Sequence, residues 1–429
     1  MSYFIQFASG ALTDRQRHLH IKVHEKSVPP GTIPESALSL LHTYENAGRP
    51  PPMTTYSRLI AALFRTPSSL AHAQAWDLFS HMRYVAHPDP DSLLFTQMIQ
   101  ACALPTPAEP ERALDLFTEM TIDRRIPPTA GAYTAAILAC ARSGSKVYVN
   151  EAFRLAREML DAHRDARGRG AFLPDSYTFA ALLEGAKRIG DLGRVRWILA
   201  EMVEAARQDK DIVVDERIMT HVFHSYAAYK PPFRRSMAPL ASQIEDDADT
   251  LIPARPTELG KSSADDREPS APVEARQEPS FAHLPPKSRS EVIGEARALF
   301  SRISPSSLPP TYSPLDTLLA LPDVHVTPRL LGAYLSVFYA HAPLETAHAM
   351  FRTTFAEHGL AKDARAIVEA LERCASARRG AEREYVLSFA EDAWQEWIAL
   401  EDASTPTRAR SSARHIQCAY AARIRVLAL

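Results

Sequence analysis

Two successive copies of one pattern decide the fold: residues 95–120 read FTQMIQACALPTPAEPERALDLFTEM, and residues 133–159 read YTAAILACARSGSKVYVNEAFRLAREM. In each copy an aromatic residue, Phe95 or Tyr133, is followed by an isoleucine four positions later and an alanine two positions after that. A second segment then begins with alanine and ends with methionine. These spacings place the apolar residues of each segment on one face of an α-helix, so each copy predicts a pair of amphipathic helices.

Further copies lie on both sides of this stretch. The second segments of successive copies read AWDLFSHM, ALDLFTEM, AFRLAREM and VRWILAEM. One such helix pair cannot bury its apolar faces alone, and stacking on the next pair buries them in a continuous core. The sequence therefore predicts an all-α fold, an α-solenoid of tandem helix-turn-helix repeats. The leading residues of the first segments, at intervals of 38 to 46 residues, are Tyr56, Phe95, Tyr133, Phe179 and, in a weaker copy, Met219.

The same pattern predicts how the array packs. Gly185 and the alanines at equivalent positions are small, so the paired helices can approach closely. Residues 143–150 lie between two helical segments and are predicted to form a loop. Large apolar side chains are expected in the core. That expectation includes the tryptophans Trp76, Trp197, Trp394 and Trp397.

A change in composition divides the chain. Residues 234–288 are rich in Pro, Ser, Ala and mixed charge and have little apolar periodicity, which predicts disorder. They follow a predicted first helix and precede a predicted second helix, so they form either an insertion within one hairpin, the preferred interpretation, or a linker between two arrays. The predicted organisation is a partly ordered N-terminal segment (1–34), helical repeats (35–233), the disordered insertion (234–288), and further repeats with a basic C-terminal helix (289–429).

Composition excludes several classes of function. The net charge of −2 predicts no strong overall field, so binding to nucleic acid requires a locally basic face. The four cysteines form no CxxC pair, which argues against a disulfide framework. No apolar run approaches the roughly 20 residues that span a bilayer, so membrane insertion is not expected.

No catalytic constellation is recognisable. The chain has no P-loop, GxGxxG, HExxH or GxSxG motif, so we expect neither an enzyme nor a cofactor. His18, His20 and His24 cluster near the N-terminus without cysteine or carboxylate companions at metal-ligand spacing, and no metal site is predicted there.

The repeated hairpin resembles the pentatricopeptide repeat. The best copies lie in residues 52–216, and weaker ones extend to the C-terminus. The resemblance implies a right-handed superhelix that binds single-stranded RNA, with about one base read by each repeat. In that family a base is read by the residue after the aromatic and by the residue four before the next aromatic. Carried over, these pairs are Ser57 with Asp91, Thr96 with Thr129, Thr134 with Asp175, and Ala180 with Asp215.

The resemblance also implies residues that hold a base between neighbouring repeats. They lie two positions before each aromatic, where Leu93, Tyr177 and Arg217 could stack on a base whereas Gly131 could not. The alternative for the reading positions is structural, because Asp and Thr before a helix are ordinary N-caps. Candidate phosphate-binding stretches are RDARGRG (164–170), KRIGDLGRVR (187–196), SARRGAER (376–383) and RARSSAR (408–414).

Three functions remain open. The leading interpretation is a monomeric, non-enzymatic protein that binds single-stranded RNA and affects its processing, stability or translation. A mitochondrial location follows from the resemblance, because the N-terminus carries Asp14 and Glu25 and is a weak presequence. The second is a protein-binding scaffold, for example on a mitochondrial ribosome. An RNA-processing enzyme is the third, and it lacks a clustered acidic site.

Overall fold

The computed structural model describes residues 12–29, 31–161, 172, 174–208, 212–232, 285–303, 321, 324–377, 383–402 and 413–428. Within these ranges the regular elements are all helices, which confirms the all-α prediction. A π-helical turn, Glu119–Asp123, extends the sixth helix. The helices are α1 (Asp14–Lys26), α2 (Glu35–Asn46), α3 (Met53–Arg65), α4 (Ser69–Val85), α5 (Ser92–Ala101), α6 (Pro110–Thr118), α7 (Ala130–Arg142), α8 (Lys146–Asp161), α9 (Ser176–Ile189), α10 (Leu192–Gln208), α11 (Glu216–Ala228), α12 (Arg289–Ile303), α13 (Pro328–His341), α14 (Leu344–Glu357), α15 (Ala364–Ala375), α16 (Arg383–Asp402) and α17 (Ala413–Ala428).

The helices form two layers. The inner layer consists of α3, α5, α7, α9, α11, α13, α15 and α17, and each of these helices packs against the next. Every inner helix up to α15 also packs against the helix that follows it in the chain, and these partners form the outer layer. This stacking of hairpins is the predicted α-solenoid.

Buried aromatic residues of the inner layer form the core. Tyr56 and Phe95 have no exposed surface, and Tyr133 is 2% exposed. Gly185 lies where α9 approaches α7, and a Cβ atom at this position would be only 3.1 Å from the Cβ of Ala141. This close approach is between the first helices of successive hairpins, whereas the prediction was of close approach between the paired helices of one hairpin.

The prediction for one tryptophan is wrong. Trp397 is fully buried, but Trp197 is 59% exposed. The buried apolar residues of α10 lie at positions 192, 195, 198, 199 and 202, and the last four of these form the i, i+3, i+4, i+7 stripe of a helix. Trp197 lies outside that stripe, so its ring faces away from the core.

The array continues across the long insertion. Helix α11 packs directly against α13, although they are separated in sequence by residues that lie mostly outside the described ranges. Helix α12 contacts both, and its Glu295 accepts a hydrogen bond from the Tyr226 hydroxyl of α11 at 3.0 Å. The backbone carbonyl of Tyr226 is bonded to Nε2 of His341 in α13 at 2.8 Å. Helices α11 and α12 thus pack together, and residues 233–284, which lie between them in the sequence, are outside the described ranges.

Two predicted boundaries differ from the structure. The predicted repeat region begins at residue 35, but α1 begins at Asp14 and packs against α2 and α3, so that boundary divides a hairpin. The predicted loop over residues 143–150 is shorter than expected, because α8 begins at Lys146. Val149 is fully buried, and burial of this side chain favours extending the helix toward its N-terminus.

Candidate nucleic-acid interface

The residues predicted to precede the inner helices are all exposed N-caps. Asp91, Asp175 and Asp215 accept a hydrogen bond from the backbone N–H three residues later at 2.8 to 2.9 Å, and Thr129 does so at 3.2 Å. Caps satisfy donors that the start of a helix leaves unpaired. In each aspartate the bond ends on Oδ1, and Oδ2 accepts no hydrogen bond from the described residues. An aspartate here can therefore cap its helix and still accept a hydrogen bond from a ligand.

The residues predicted after the aromatics differ in what they offer. The hydroxyls of Ser57, Thr96 and Thr134 are partly exposed and donate to the backbone carbonyl four residues earlier, at 3.2, 2.7 and 3.0 Å. Each retains lone pairs that can accept a hydrogen bond. Ala180 is only 3% exposed and presents a methyl group. Polar recognition at the Ala180–Asp215 pair can therefore come only from Asp215.

The positions predicted to hold a base lie on the surface. Leu93 and Tyr177 are each 67% exposed, and Arg217 and Gly131 are also exposed. The guanidinium carbon of Arg217 lies 5.6 Å from the centre of the Tyr177 ring. Of the residues predicted to hold a base, Tyr177 and Arg217 have the side chains best suited to stacking, and this cation–π pair brings them together.

One cavity on the inner layer joins several predicted residues. Its volume is about 440 Å³, and it lies across α5, α7 and α9, with Arg217 from α11 at one end. It gathers both members of the Thr134–Asp175 pair, whereas each of the other three predicted pairs has at most one member in its wall. The predicted residues in its wall are Thr96, Thr134, Asp175, Tyr177, Ala180 and Arg217.

Thr178 connects the complete pair. Its hydroxyl donates to Oδ1 of Asp175 at 2.7 Å and lies 2.8 Å from the hydroxyl of Thr134. Each hydroxyl carries one proton, so when Thr178 donates to Asp175, Thr178 and the carbonyl of Ala130 compete for the Thr134 proton. Thr178 is fully buried and was not among the predicted site residues. The sequence signal for it is a hydroxyl residue directly before the aromatic, which the copy around Tyr56 shares and the copies around Phe95 and Tyr133 replace by Leu and Ala.

Paired charges lie in the cavity wall, at Arg142 and Glu184, and next to it, at Arg188. Arg142 donates through Nε to Glu184 at 3.3 Å, and Arg188 donates to the other Glu184 oxygen at 2.9 Å. Burial by itself would raise the pKa of Glu184, but Arg188, Arg142 and Lys187 outweigh it, and the pKa is lowered. The carboxylate therefore stays ionised and partly neutralises the arginines, so the cavity wall is mixed in charge.

A second cationic group follows on α9, α11 and α15. Lys187 donates to Nδ1 of His221 at 3.4 Å, and Arg365 donates to Nε2 of His224 at 3.1 Å. A histidine nitrogen that accepts from a cation is unprotonated, so both rings are neutral. Burial, followed by the charge of Lys187, lowers the pKa of His221 to about 4. Burial and Arg365 lower the pKa of His224 to about 3.

Of the four predicted basic stretches, only residues 187–196 lie wholly within the described ranges, and their cations point to different partners. In the stretch 187–196, Lys187 and Arg188 lie on α9, but Arg196 is 7% exposed and pairs with Glu295 at 3.6 Å. Arg194 stacks on Phe153, with its guanidinium carbon 4.5 Å from the ring centre. The stretch 164–170 lies outside the described residues, as do most of 376–383 and 408–414.

Comparison with known proteins gives similarity at the level of fold. No protein-family profile and no curated protein matches the chain. Solved structures similar to it include the pentatricopeptide repeat protein PPR10 in complex with an 18-nucleotide psaJ RNA element (12% identity, TM-score 0.32), a cysteine-to-serine variant of PPR10 with the same element (13%, 0.41) and PPR10 from maize (14%, 0.34). These matches cover 96–98% of this chain and 52–58% of those chains, so the chain spans just over half their length.

Throughout the described ranges, the first helices of the hairpins form one layer and the second helices form the other. None of the described helices is long and apolar enough to cross a membrane.

Proposed function

We propose that this chain is a non-enzymatic RNA-binding protein that holds single-stranded RNA along its inner layer. The observation that carries the proposal is the cavity at α7 and α9. There the hydrogen-bonding groups of Thr134 and Asp175 lie in one wall with the stacking pair Tyr177 and Arg217. Hydrogen-bond groups that can meet a base edge, together with stacking side chains, are what recognition of an unpaired base requires.

The chemistry of this site suits one nucleotide. Thr134 and Asp175 are linked through Thr178, so the two polar groups are held at a fixed separation and lose little conformational freedom on binding. Oδ2 of Asp175 would accept from an amino or imino group of a base. For a base to stack between Tyr177 and Arg217, the Arg217 side chain would move off the Tyr177 ring.

The affinity for phosphate would come from the cations that follow on the same layer. Arg142 of α7 lies in the cavity wall, Lys187 and Arg188 lie on α9 outside that wall, and Arg365 lies on α15. Each contact with phosphate releases counterions, so binding would weaken as salt rises. From the resemblance of its repeats to the pentatricopeptide repeat, we further propose that the chain acts in RNA processing, stability or translation. We propose that it does so as a monomer in mitochondria.

The test is binding of the purified chain to a randomised pool of single-stranded RNA over a range of salt concentrations. Stacking of one base contributes about 1–3 kcal/mol, so Tyr177→Ala should weaken binding about 5- to 150-fold. Trp197→Ala is the matched control, since it also removes an exposed aromatic ring but from an outer helix. Equal affinity of Tyr177→Ala and the unaltered chain for the selected RNA would contradict the assignment of this site.

A protein scaffold is the second candidate, and one observation favours it. Trp197 borders a cavity of about 660 Å³ between α8 and α10, with Phe153, Leu182 and Ile212 also in its wall. An exposed tryptophan beside an apolar cavity is typical of protein-binding surfaces. A folded chain that binds no RNA at low salt would favour this function over the first.

A further inference from the structure

A compact group of metal-ligating side chains lies at the start of the array, outside the RNA-binding cavity. Among the described residues, His42, Glu45 and His81 place one ligand atom each within 4.8 Å of the others. His42 and Glu45 are three residues apart on α2 and therefore share a face, whereas His81 comes from α4. Two imidazole nitrogens and one carboxylate oxygen are a ligand set that Zn²⁺ takes when a fourth position is left to water.

The carboxylate is held in place before any ion arrives. Oε2 of Glu45 lies 2.9 Å from Nδ1 of His42 and 2.9 Å from Nε2 of His81. Oε1 accepts a hydrogen bond of 2.5 Å from the hydroxyl of Tyr56, a residue with no exposed surface. The Glu45 side chain is itself only 4% exposed. A ligand fixed by a buried partner in this way needs little reordering to coordinate a metal.

The ligand group is open to solvent on one side. The histidine side chains are 51% and 38% exposed, so solvent reaches the group from their side and an ion has a path to enter. Their rings are 5.3 Å apart and nearly perpendicular.

We propose that His42, Glu45 and His81 bind one Zn²⁺ ion that joins the first hairpin of the array to the second. On binding, the nitrogens that now face Glu45 become ligands, and any proton on them moves to the other ring nitrogen or to solvent. Tyr56 acts as a positioning residue through Glu45. The ion would connect α2 to α4 across α3, and this role is independent of RNA binding.

The test is titration of the metal-free, full-length chain with Zn²⁺ by calorimetry, with the visible absorption of bound Co²⁺ as a second readout. Mutation of an outer-shell partner alone costs about 10- to 100-fold in metal affinity, so loss of a direct ligand should cost at least about tenfold. We expect this loss in both His42→Ala and His81→Ala, and Zn²⁺ should raise the thermal midpoint of the unaltered chain but not of these two variants. His72→Ala, on the same helix as His81, is the matched control and should bind like the unaltered chain.

Folding defects are separable from loss of the site. His42 is half-exposed, so His42→Ala should keep the helical circular dichroism and the RNA affinity of the unaltered chain while losing the metal. Tyr56→Phe should weaken Zn²⁺ binding and change the Co²⁺ spectrum if it positions Glu45. Zn²⁺ binding of unchanged affinity in both histidine variants would overturn the proposal, as would binding that disappears only when His18, His20 and His24 are replaced.

Discussion

Replacing Asp175 by two different residues separates its role as a helix cap from its proposed role as a base reader. Asparagine caps a helix about as well as aspartate, whereas alanine does not. A carboxylate only accepts hydrogen bonds, whereas an amide both donates and accepts. Asp175→Asn therefore alters the chemistry presented to a base while keeping the cap, and Asp175→Ala removes both.

The structure sets the expected magnitudes. Oδ1 of Asp175 accepts from the N–H of Thr178 at 2.8 Å and from its hydroxyl at 2.7 Å. Loss of this cap in Asp175→Ala should cost about 0.5–2 kcal/mol of stability. Asp175→Asn loses only a negative charge at the start of α9, about 0.3–1 kcal/mol. Loss of a charged hydrogen bond to the base, about 1.5–3 kcal/mol, should weaken binding of Asp175→Ala to the preferred RNA about 10- to 150-fold.

The assay combines urea denaturation, followed by circular dichroism, with selection of RNA from a randomised pool. Asp175→Asn should melt close to the unaltered chain and prefer a different base at one position of the selected RNA. Asp191→Ala is the matched control, because Asp191 caps the outer helix α10 by accepting from the N–H of Arg194 at 3.1 Å. It should lose stability and keep both affinity and base preference.

One result would refute the reasoning. If Asp175→Ala loses stability as expected but selects the same RNA with the same affinity, as does Asp175→Asn, then Asp175 is a cap and no more. The pair of residues that recognises a base would then have to lie in another hairpin.

Two further predictions concern stability. Gly185→Val should lower the free energy of unfolding by about 1–3 kcal/mol in urea melts, because even a Cβ at this position would lie 3.1 Å from Ala141. Gly294→Ala is the control: position 294 is in open space within a helix, so this change should raise the free energy of unfolding by up to about 1 kcal/mol. Equal stability of the two variants would contradict the close crossing of α7 and α9. Because the folded pKa values of His221 and His224 are about 4 and about 3, below the unfolded value of about 6.5, stability should be retained above pH 6.5 and lost as the pH falls toward 4. From pH 7 to pH 5 the loss should be on the order of 2 kcal/mol for each histidine, and a double His→Gln variant should remove this part of the pH dependence in urea melts.

The hairpin architecture was predictable because local spacing determines it. An apolar face repeated at helical intervals requires a partner surface, and Tyr56, Phe95 and Tyr133 supply that face in successive copies. The capping residues were predictable for a similar reason. An aspartate directly before an amphipathic helix accepts hydrogen bonds from backbone N–H groups that the first turn leaves unpaired. Trp197 shows the limit, because composition favours burial of tryptophan and only its place on the helix turns it outward.

The site divides in the same way. The resemblance of the repeats pointed to Thr134, Asp175, Tyr177 and Arg217 one hairpin at a time, because each belongs to a local motif. That these four line one cavity depends on how α7, α9 and α11 stack, and that Thr178 links two of them depends on where a buried hydroxyl points.

The histidine–glutamate group shows most plainly what tertiary structure decides. His42 and Glu45 are helix neighbours that any reading of the sequence can pair, but His81 lies 36 residues further on and Tyr56 lies on the helix between. Local sequence sets helix faces and caps, because these depend on residues within one or two turns. Contacts between separate helices depend on the packing distance and rotation of each hairpin, and these follow from the whole core.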